Sequence, residues 1–449
     1  AAAAAAAGAR TALVNDGELG GLCILRGCMP SKTLLHSSHV LHEMRTAGRL
    51  GVHTGEIRVD VPAIYRRKDE KVARFQRAKI RSIESSPYDV IEGRGRFTGP
   101  ATLAVGDRLF GAGGYVIATG SRPAPSPVPG SGDVRVLSSD DLIGMGALPR
   151  SLVVHGAGAI GLELGQFLAR MGVEVLIVGR SRPLSKVDRD CSDEMMQVLR
   201  DEPGLDGVMP GRILGVRKDG DGILFDIEGN GVRRVHRAEA FLSAIGRVPD
   251  VAGLGLDRAG VRVRDGGILH EPSMRTTNPA IYVAGDATGS FQVLHLANQE
   301  GAVAGHNAAR GVPERHMDYR LRMWIVFTDP PFASIGLTED EARREGRAIV
   351  SAVKRFPEQG RAITMETDHG LLKVIARAAS GEILGAHILG PRADDLVHII
   401  AAVMFYRGRA ADLCAMPWYH PTLSEALIEI GRNLAALLDG RPPVESPPA

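Results

Sequence analysis

Short apolar runs recur along the chain, most of them closed by a glycine turn and followed by a stretch with helical spacing. "ARTALVND" (9–16) predicts a short buried strand, and the segment with Cys23 and Cys28 opens a helix that runs on through "TLLHSSHVLHEMRTAG". "YVIATGSRP" (115–123) predicts a strand ending in a turn, and "AIYVAGDATG" (280–289) repeats that pattern. From Ser151, "SLVVHGAGAIGLELGQFLARMGVEVLIVGR" reads as a complete strand–helix–strand unit. Beyond about Arg320 the pattern changes. "FTDPPFASIGL", "LLKVIARAASGEILGAHILG" and "DDLVHIIAAVMFYRGRA" predict antiparallel strands with helices. The alternation predicts an α/β protein, divided as 1–150, 151–270, 271–320 returning to the first domain, and 321–449 as a separate α+β domain. The Pro-rich "SRPAPSPVPGSG" (121–132) reads as the connector between the first two.

At 449 residues the chain exceeds one ordinary core, so several domains of roughly 100–150 residues are expected. A net charge of +2 argues against nucleic acid or an acidic membrane surface as partner. No apolar run reaches the roughly 20 residues a membrane helix needs. Four cysteines do not make a secreted disulfide scaffold. "AAAAAAAGAR" has neither the basic start nor the leucine-rich core of a signal peptide, so a cytoplasmic location is the expectation.

Gly156, Gly158 and Gly161 form a G-x-G-x-x-G between the strand "SLVVH" and the helix "LELGQFLARMG". In that setting the first glycine makes the tight turn, the second admits a pyrophosphate and the third lets helix pack on strand. The helix N-terminus then stabilises the phosphate charge. At the end of the second strand, where an acid would hold the ribose 2′-hydroxyl of NAD, stands Gly179, followed by Arg180, Arg182 and Lys186. A basic cluster there suits a 2′-phosphate, so NADP(H) is favoured, with NAD(H) the alternative.

"GGLCILRGCMPSK" (20–32) places Cys23 and Cys28 five positions apart at a predicted helix start. Zinc would need further ligands in sets, and Cys191 and Cys414 are isolated, so no metal is expected. The spacing allows a small disulfide ring, and a helix-terminal field would lower a thiol pKa, which favours a redox pair.

This segment resembles the redox-disulfide segment of the class I pyridine nucleotide–disulfide oxidoreductases, which include dihydrolipoamide dehydrogenase, glutathione reductase and mercuric reductase. "YVIATGSRP", the glycine fingerprint with Glu163, "AIGRVP", "YVAGDATG", "FTDPPFASIGLTEDEA" and "HPTLSE" (420–425) follow in the family's order. "CMPSKTLLHSSH" and "HPTLSEA" look closest to dihydrolipoamide dehydrogenase. The resemblance implies two Rossmann-like domains, one for FAD and one for NAD(P), a C-terminal dimerisation domain, bound FAD and a homodimer sharing its active sites.

Carried onto this chain, Cys28 lies toward the flavin and Cys23 is the interchange thiol. His420, from the second subunit, is the general acid–base oriented by Glu425, and imidazole suits that task by its near-neutral pKa. Lys32 and Glu163 match the family's ion pair beside the flavin. Asp286 matches the FAD ribitol–pyrophosphate contact, and Gly95, Thr119, Gly120 and His295 match further FAD positions. Gly246 borders the nicotinamide-cofactor site, while Arg180 and Lys186 fall where glutathione reductase holds the 2′-phosphate. His36 and His39 read as packing or surface residues, Cys191 as a plain thiol, and Met416, Trp418 and Tyr419 as shaping the dimer surface.

The chain also departs from the pattern. The family begins with an FAD-binding strand and its own glycine fingerprint. Here seven alanines stand where that turn's helix ends, and a chain beginning there lacks the first strand and phosphate cradle. Asn15 occupies the usual ribose-binding glutamate position, with Asp16 beside it as a substitute. Leu25 and Arg26 replace the Asn-Val common between the cysteines, changing packing and local charge. The expected activity is electron transfer between NAD(P)H and a small or protein-borne thiol or disulfide, through FAD and the cysteine pair. The alternatives are an NADPH-dependent quinone, electron-acceptor or metal-ion reductase, and an FAD-deficient non-catalytic relative. Mercuric reductase fits less well, because "RPPVESPPA" carries no cysteine pair.

Overall fold

The computed structural model describes residues 1–442; the end of "RPPVESPPA", from 443 on, lies outside the described residues. The chain divides into two compact units. Unit one comprises Ala1–Thr33, Pro62–Ala124 and Gly246–Asp318, and unit two comprises Leu34–Val61, Pro125–Ile245 and Tyr319–Ala449.

Unit one opens with α1 (Ala2–Ala6) and β1 (Ala12–Asn15), which runs parallel to β2 (Asp89–Glu92). The strand expected over 9–16 is shorter and only half-buried, because β2 is its one ladder partner. Cys23 sits in a single helical turn, α2 (Leu22–Leu25), and Cys28 is the first residue of α3 (Cys28–Thr46). The expected helix start is therefore split: Arg26 leaves helical geometry at φ −142°, and at Gly27 a Cβ would lie 3.0 Å from the Leu22 carbonyl oxygen. The long α4 (Val61–Glu84) follows, its Gln76 Nε2 donating to the Leu19 carbonyl at 3.2 Å. After an antiparallel three-stranded sheet within 95–111, the predicted run 115–123 becomes two strands, β3 (Tyr115–Ile117) and β4 (Ser121–Pro123). Gly120, at φ +74°, makes the break between them.

Unit two contributes a seven-stranded sheet. Its strands are β5 (Val136–Leu137), β6 (Ser151–His155), β7 (Glu174–Gly179), β8 (Leu205–Asp219), β9 (Gly222–Gly229), β10 (Val232–Ala238) and β11 (Ala240–Ser243), in the spatial order β10-β9-β8-β7-β6-β11-β5. The five from β8 to β5 are parallel, and β9 and β10 extend the sheet as an antiparallel meander. Between β6 and β7 runs α5 (Ala159–Arg170), and α6 (Arg189–Arg200) precedes β8. Val153, Leu176, Val178, Phe225, Ile227 and Phe241 pack into one core, as near-continuous apolar parallel strands require.

The chain then returns to unit one, where β12 (Ile281–Val283) runs parallel to β3 and leads through a 3-10 turn to α7 (Leu294–Arg310). The alanine helix α1 packs on α7, since at Gly305 a Cβ would lie 3.0 Å from that of Ala3. Unit two closes with the antiparallel sheet β13 (Met323–Val326), β14 (Phe332–Gly336), β15 (Ile349–Arg355), β16 (Leu371–Arg377) and β17 (Ile383–Leu389), ordered β13-β14-β17-β16-β15. Helices α8 (Ala393–Phe405) and α9 (Ala426–Leu438) bury Ile400 and Ile430 against this sheet's Val374 and Ile388. No helix among the described residues is long and apolar enough to cross a membrane.

Candidate active site

In unit one Cys23 and Cys28 are half-buried free thiols joined by a hydrogen bond. That bond, burial and the charge of Cys28 push the Cys23 thiol up, and the nearby Lys32 ammonium pulls down less strongly. The helix start expected for the pair falls at Cys28, the first residue of α3, while Cys23 sits in the separate turn α2. Leu25 folds back on Gly20, where a Cβ would lie 2.9 Å from Leu25 Cγ at φ +148°. Arg26 projects into solvent between the cysteines.

The carboxyl ends of the parallel strands β3 and β12 carry Thr119–Gly120 and Gly285–Asp286. Crevices outside such strand ends are where open α/β sheets bind ligands. Asp286 Oδ2 accepts from Ser121 Oγ at 2.5 Å, and Ser121 Oγ in turn accepts from Arg247 Nε at 2.9 Å. Glu300 Oε2 accepts from Gly285 N–H at 2.7 Å, holding the turn that presents Asp286. His295 lies in the first turn of α7. Gly95 packs under Leu103 in the small antiparallel sheet, with 3.4 Å from its Cβ position to the Leu103 methyls.

In unit two the glycine fingerprint is built as its spacing implies. At Gly156 (φ +121°) a Cβ would lie 2.4 Å from the Ala244 carbonyl oxygen, and at Gly161 only 1.9 Å from that of Gly156. Gly158 is the N-cap of α5 and supplies no side-chain cap, so the first backbone N–H groups of the helix are left for a ligand. At Gly179 a Cβ would lie 2.7 Å from that of Ala157. The missing ribose acid is therefore matched by a fingerprint residue standing in the space it would need. Arg180 and Lys186 are exposed, and neither enters an ion pair among the described residues; Arg182 reaches Asp193 at 3.8 Å. Glu163 is buried on α5, where its Oε1 accepts from Phe327 N–H at 2.9 Å. Gly246 belongs to unit one, with φ +116°.

Near the C-terminus of unit two, His420 is 80% exposed, and its Nδ1 lies 3.1 Å from Glu425 Oε1. Glu425 is held in place because its Oε2 also accepts from Thr422 N–H at 2.8 Å. Nδ1 is thereby engaged by Glu425. Tyr419 is largely exposed beside it, while Trp418 is pinned by a 2.9 Å bond from Nε1 to the Leu413 carbonyl. His36 is exposed; His39 is half-buried and held low by that burial. Cys191 is fully buried at the start of α6.

The family model described as pyridine nucleotide-disulphide oxidoreductase matches residues 1–301, and that of its dimerisation domain matches 323–430. The chain belongs to this family. It is similar to dihydrolipoyl dehydrogenase of Bacillus subtilis (strain 168), 32% identical over 450 residues that cover 95% of this chain and 93% of that one. Mercuric reductase of Bacillus cereus is 31% identical over 427 residues, covering 94% of this chain and 67% of that protein. Among solved structures, the HOCl-induced flavoprotein disulfide reductase RclA from Escherichia coli superposes with a TM-score of 0.80 at 26% identity, covering 96% of both chains. This member of the family is an FAD-dependent oxidoreductase of mixed α/β fold with a C-terminal dimerisation domain.

The residues of unit one suit a flavin nucleotide. Asp286 Oδ1 has no partner among the described residues, and its other oxygen is locked by Ser121. A carboxylate so held can accept from the hydroxyls of a ribityl chain, with open space beside Gly120, where nothing lies within 4 Å of a Cβ position. Ser121 and Arg247 were not legible as site residues in the sequence, although both lie within quoted motifs, "YVIATGSRP" and "AIGRVP". The chain of bonds that makes them supports of Asp286 forms only when residues 121, 247 and 286 meet.

Proposed function

We propose that this oxidoreductase transfers electrons from NADPH to a thiol/disulfide substrate through Cys23 and Cys28, and that it works as a homodimer. The observation that carries this reading is the hydrogen-bonded pair of half-buried thiols in GGLCILRGCMPSK. Asp286, Thr119 and Gly120, with Lys32 in the same unit, would hold FAD, which when bound would supply the two-electron link between NADPH and the cysteine pair.

In the substrate half-reaction Cys23 loses its proton to His420 Nε2 and attacks one sulfur of a substrate disulfide. A mixed disulfide forms, and the leaving thiolate takes the proton back from His420. Cys28, as thiolate, then attacks Cys23 Sγ, which releases the second substrate thiolate and closes the Cys23–Cys28 disulfide. Glu425 holds the imidazole in one orientation through Nδ1. A base is needed because Cys23 is shifted toward the protonated thiol. His420 serves the cysteines of the opposite subunit, in keeping with its exposure on the domain that matches the dimerisation model. NADP(H) is favoured because Arg180 and Lys186 have no carboxylate partner among the described residues and Gly179 leaves no acid for a ribose 2′-hydroxyl.

Anaerobic titration of the purified protein with NADPH and then NADH, followed by flavin absorbance, tests this reading. NADPH should reduce the flavin at lower concentration than NADH, and Cys23→Ser should keep that reduction while losing disulfide turnover. Flavin that neither nucleotide reduces, or disulfide turnover that survives Cys23→Ser, overturns it.

A further inference from the structure

The strand β16 reads "LLKVIAR", and Lys373 is the one charged residue inside its apolar run. Its ammonium is buried, with 7% of the side chain exposed, and meets three carboxylates of unit two. Nζ lies 2.9 Å from Asp190 Oδ2, 3.0 Å from Glu339 Oε1 and 3.3 Å from Asp188 Oδ2. Among the described residues no other lysine or arginine nitrogen lies within 4 Å of these aspartates, and His387 Nε2 stands 3.7 Å from Asp188 Oδ2. His387, its cross-strand neighbour on β17, is fully buried, and its two ring nitrogens lie 2.9 Å from Ser334 Oγ and 3.1 Å from the Leu337 carbonyl. Burial holds that imidazole in its neutral form. Arg343 reaches only the other oxygen of Glu339.

Two of the three carboxylates stand at one place in the chain. Asp188 is the N-cap of α6 and Asp190 lies in its first turn, directly after the segment that carries Arg180 and Lys186. That segment is an arch. Leu184, in the left-handed region at φ +52°, donates its N–H to the Ala157 carbonyl in the glycine fingerprint at 3.1 Å. Ser192 Oγ donates to the Pro183 carbonyl, and Val187 N–H closes back on Leu184 at 2.9 Å. The far foot is Asp188, whose Oδ1 accepts from Glu339 N–H at 2.9 Å. One foot of the arch therefore rests on the fingerprint, and the other is fastened to the antiparallel sheet by Lys373.

We propose that Lys373 is a positioning residue for nucleotide selectivity: from the antiparallel sheet it anchors the arch that presents Arg180 and Lys186 to the 2′-phosphate of NADP(H). The inference rests on the NADP(H) reading given above. Without the ammonium, the buried Asp188 and the half-buried Asp190 and Glu339 stand side by side with like charge, and the aspartates must move apart or out to water. Lys186 lies two residues from Asp188 and moves with it. Contacts to the adenine, pyrophosphate and nicotinamide depend on the fingerprint foot and are kept.

Equilibrium binding of NADPH, NADH and 2′,5′-ADP to the flavin-loaded wild type, Lys373→Met and Lys373→Arg tests the proposal. In Lys373→Met the Kd for NADPH and 2′,5′-ADP should rise about tenfold, the scale of one charge-assisted contact. The Kd for NADH should change by less than about twofold, and Lys373→Arg should recover most of the loss. Should Lys373→Met fail to fold, Asp188→Asn takes its place with the same expected outcomes. A wild type that binds NADH as tightly as NADPH removes the cofactor reading and this proposal together. A wild type that prefers NADPH, with a variant that weakens both nucleotides alike or neither, removes the anchor alone.

Discussion

Cys23 is the residue at which chemistry and environment disagree most. Its thiol is pushed up by the hydrogen bond to Cys28, and then by burial and the charge of Cys28. Removing the partner in Cys28→Ala should let Cys23 ionise at lower pH. In reduced protein, the rate of Cys23 alkylation by iodoacetamide, followed by peptide mass spectrometry, should therefore rise at lower pH in the variant than in wild type. Superimposable pH profiles would show that Cys28 does not control Cys23. His420 is the opposite case, exposed and bonded by its side chain to Glu425. His420→Gln should cut disulfide turnover by about 10²–10⁴-fold, the usual scale for a lost acid–base group. Its unfolding free energy should stay within about 0.5 kcal/mol of wild type. A variant that loses activity and stability together would mark His420 as structural.

At the scale of elements, cofactor choice depends on how β6, α5 and β7 meet. The tight approach of Ala157 to Gly179 means that an acid cannot simply be written into the end of β7. Gly179→Asp alone should weaken NADPH without improving NADH, because the new Cβ meets that of Ala157. The double variant Ala157→Gly/Gly179→Asp should tighten NADH by about tenfold, the value of one good charge-assisted hydrogen bond to the ribose. Binding titrations of both nucleotides read this directly. Improved NADH binding in the single variant would show that the two residues do not compete for space.

Across unit two as a whole, a buried network joins α5 to distant segments of the chain. Arg170 pairs with both oxygens of Glu202, at 2.8 and 2.9 Å, and with Asp329 Oδ2 at 2.7 Å. Gln166 bonds Glu202 and both backbone polar groups of Asp329. Glu202→Ala leaves much of the Arg170 charge buried without its partner and should destabilise the protein by about 3–5 kcal/mol in denaturant unfolding. Burial pushes the Asp329 carboxyl up, but the charge of Arg170 and its hydrogen bond outweigh burial and hold it below the ordinary carboxylate range. A depressed carboxyl contributes stability that is present above its unfolded pKa and lost as pH falls through its folded value. Below about pH 4 wild-type stability should therefore fall more steeply than that of Asp329→Asn, as thermal unfolding across pH can show. Parallel curves would remove Asp329 from the account.

Periodicity and glycine spacing alone determined the α/β class, the strand–helix–strand unit from Ser151 and the glycine fingerprint, because backbone sterics act over a few residues. GGLCILRGCMPSK and HPTLSE likewise named the cysteine pair and a histidine–glutamate pair, whose side chains meet at 3.1 Å. What sequence could not settle depends on residues far apart in the chain. The strand over 9–16 was expected to be buried, yet β1 has a single neighbour and stays half-exposed. The two cysteines were expected at one helix start, yet a break at Arg26 and Gly27 leaves Cys23 in its own turn, where the hydrogen bond to Cys28 and burial push its thiol up. Ser121 and Arg247 behind Asp286, Ala157 against Gly179, and Lys373 beneath Asp188 became functional candidates only through tertiary contact. Lys373 left one trace, a charge within a buried strand, and such a charge must find its counterions wherever the fold brings them.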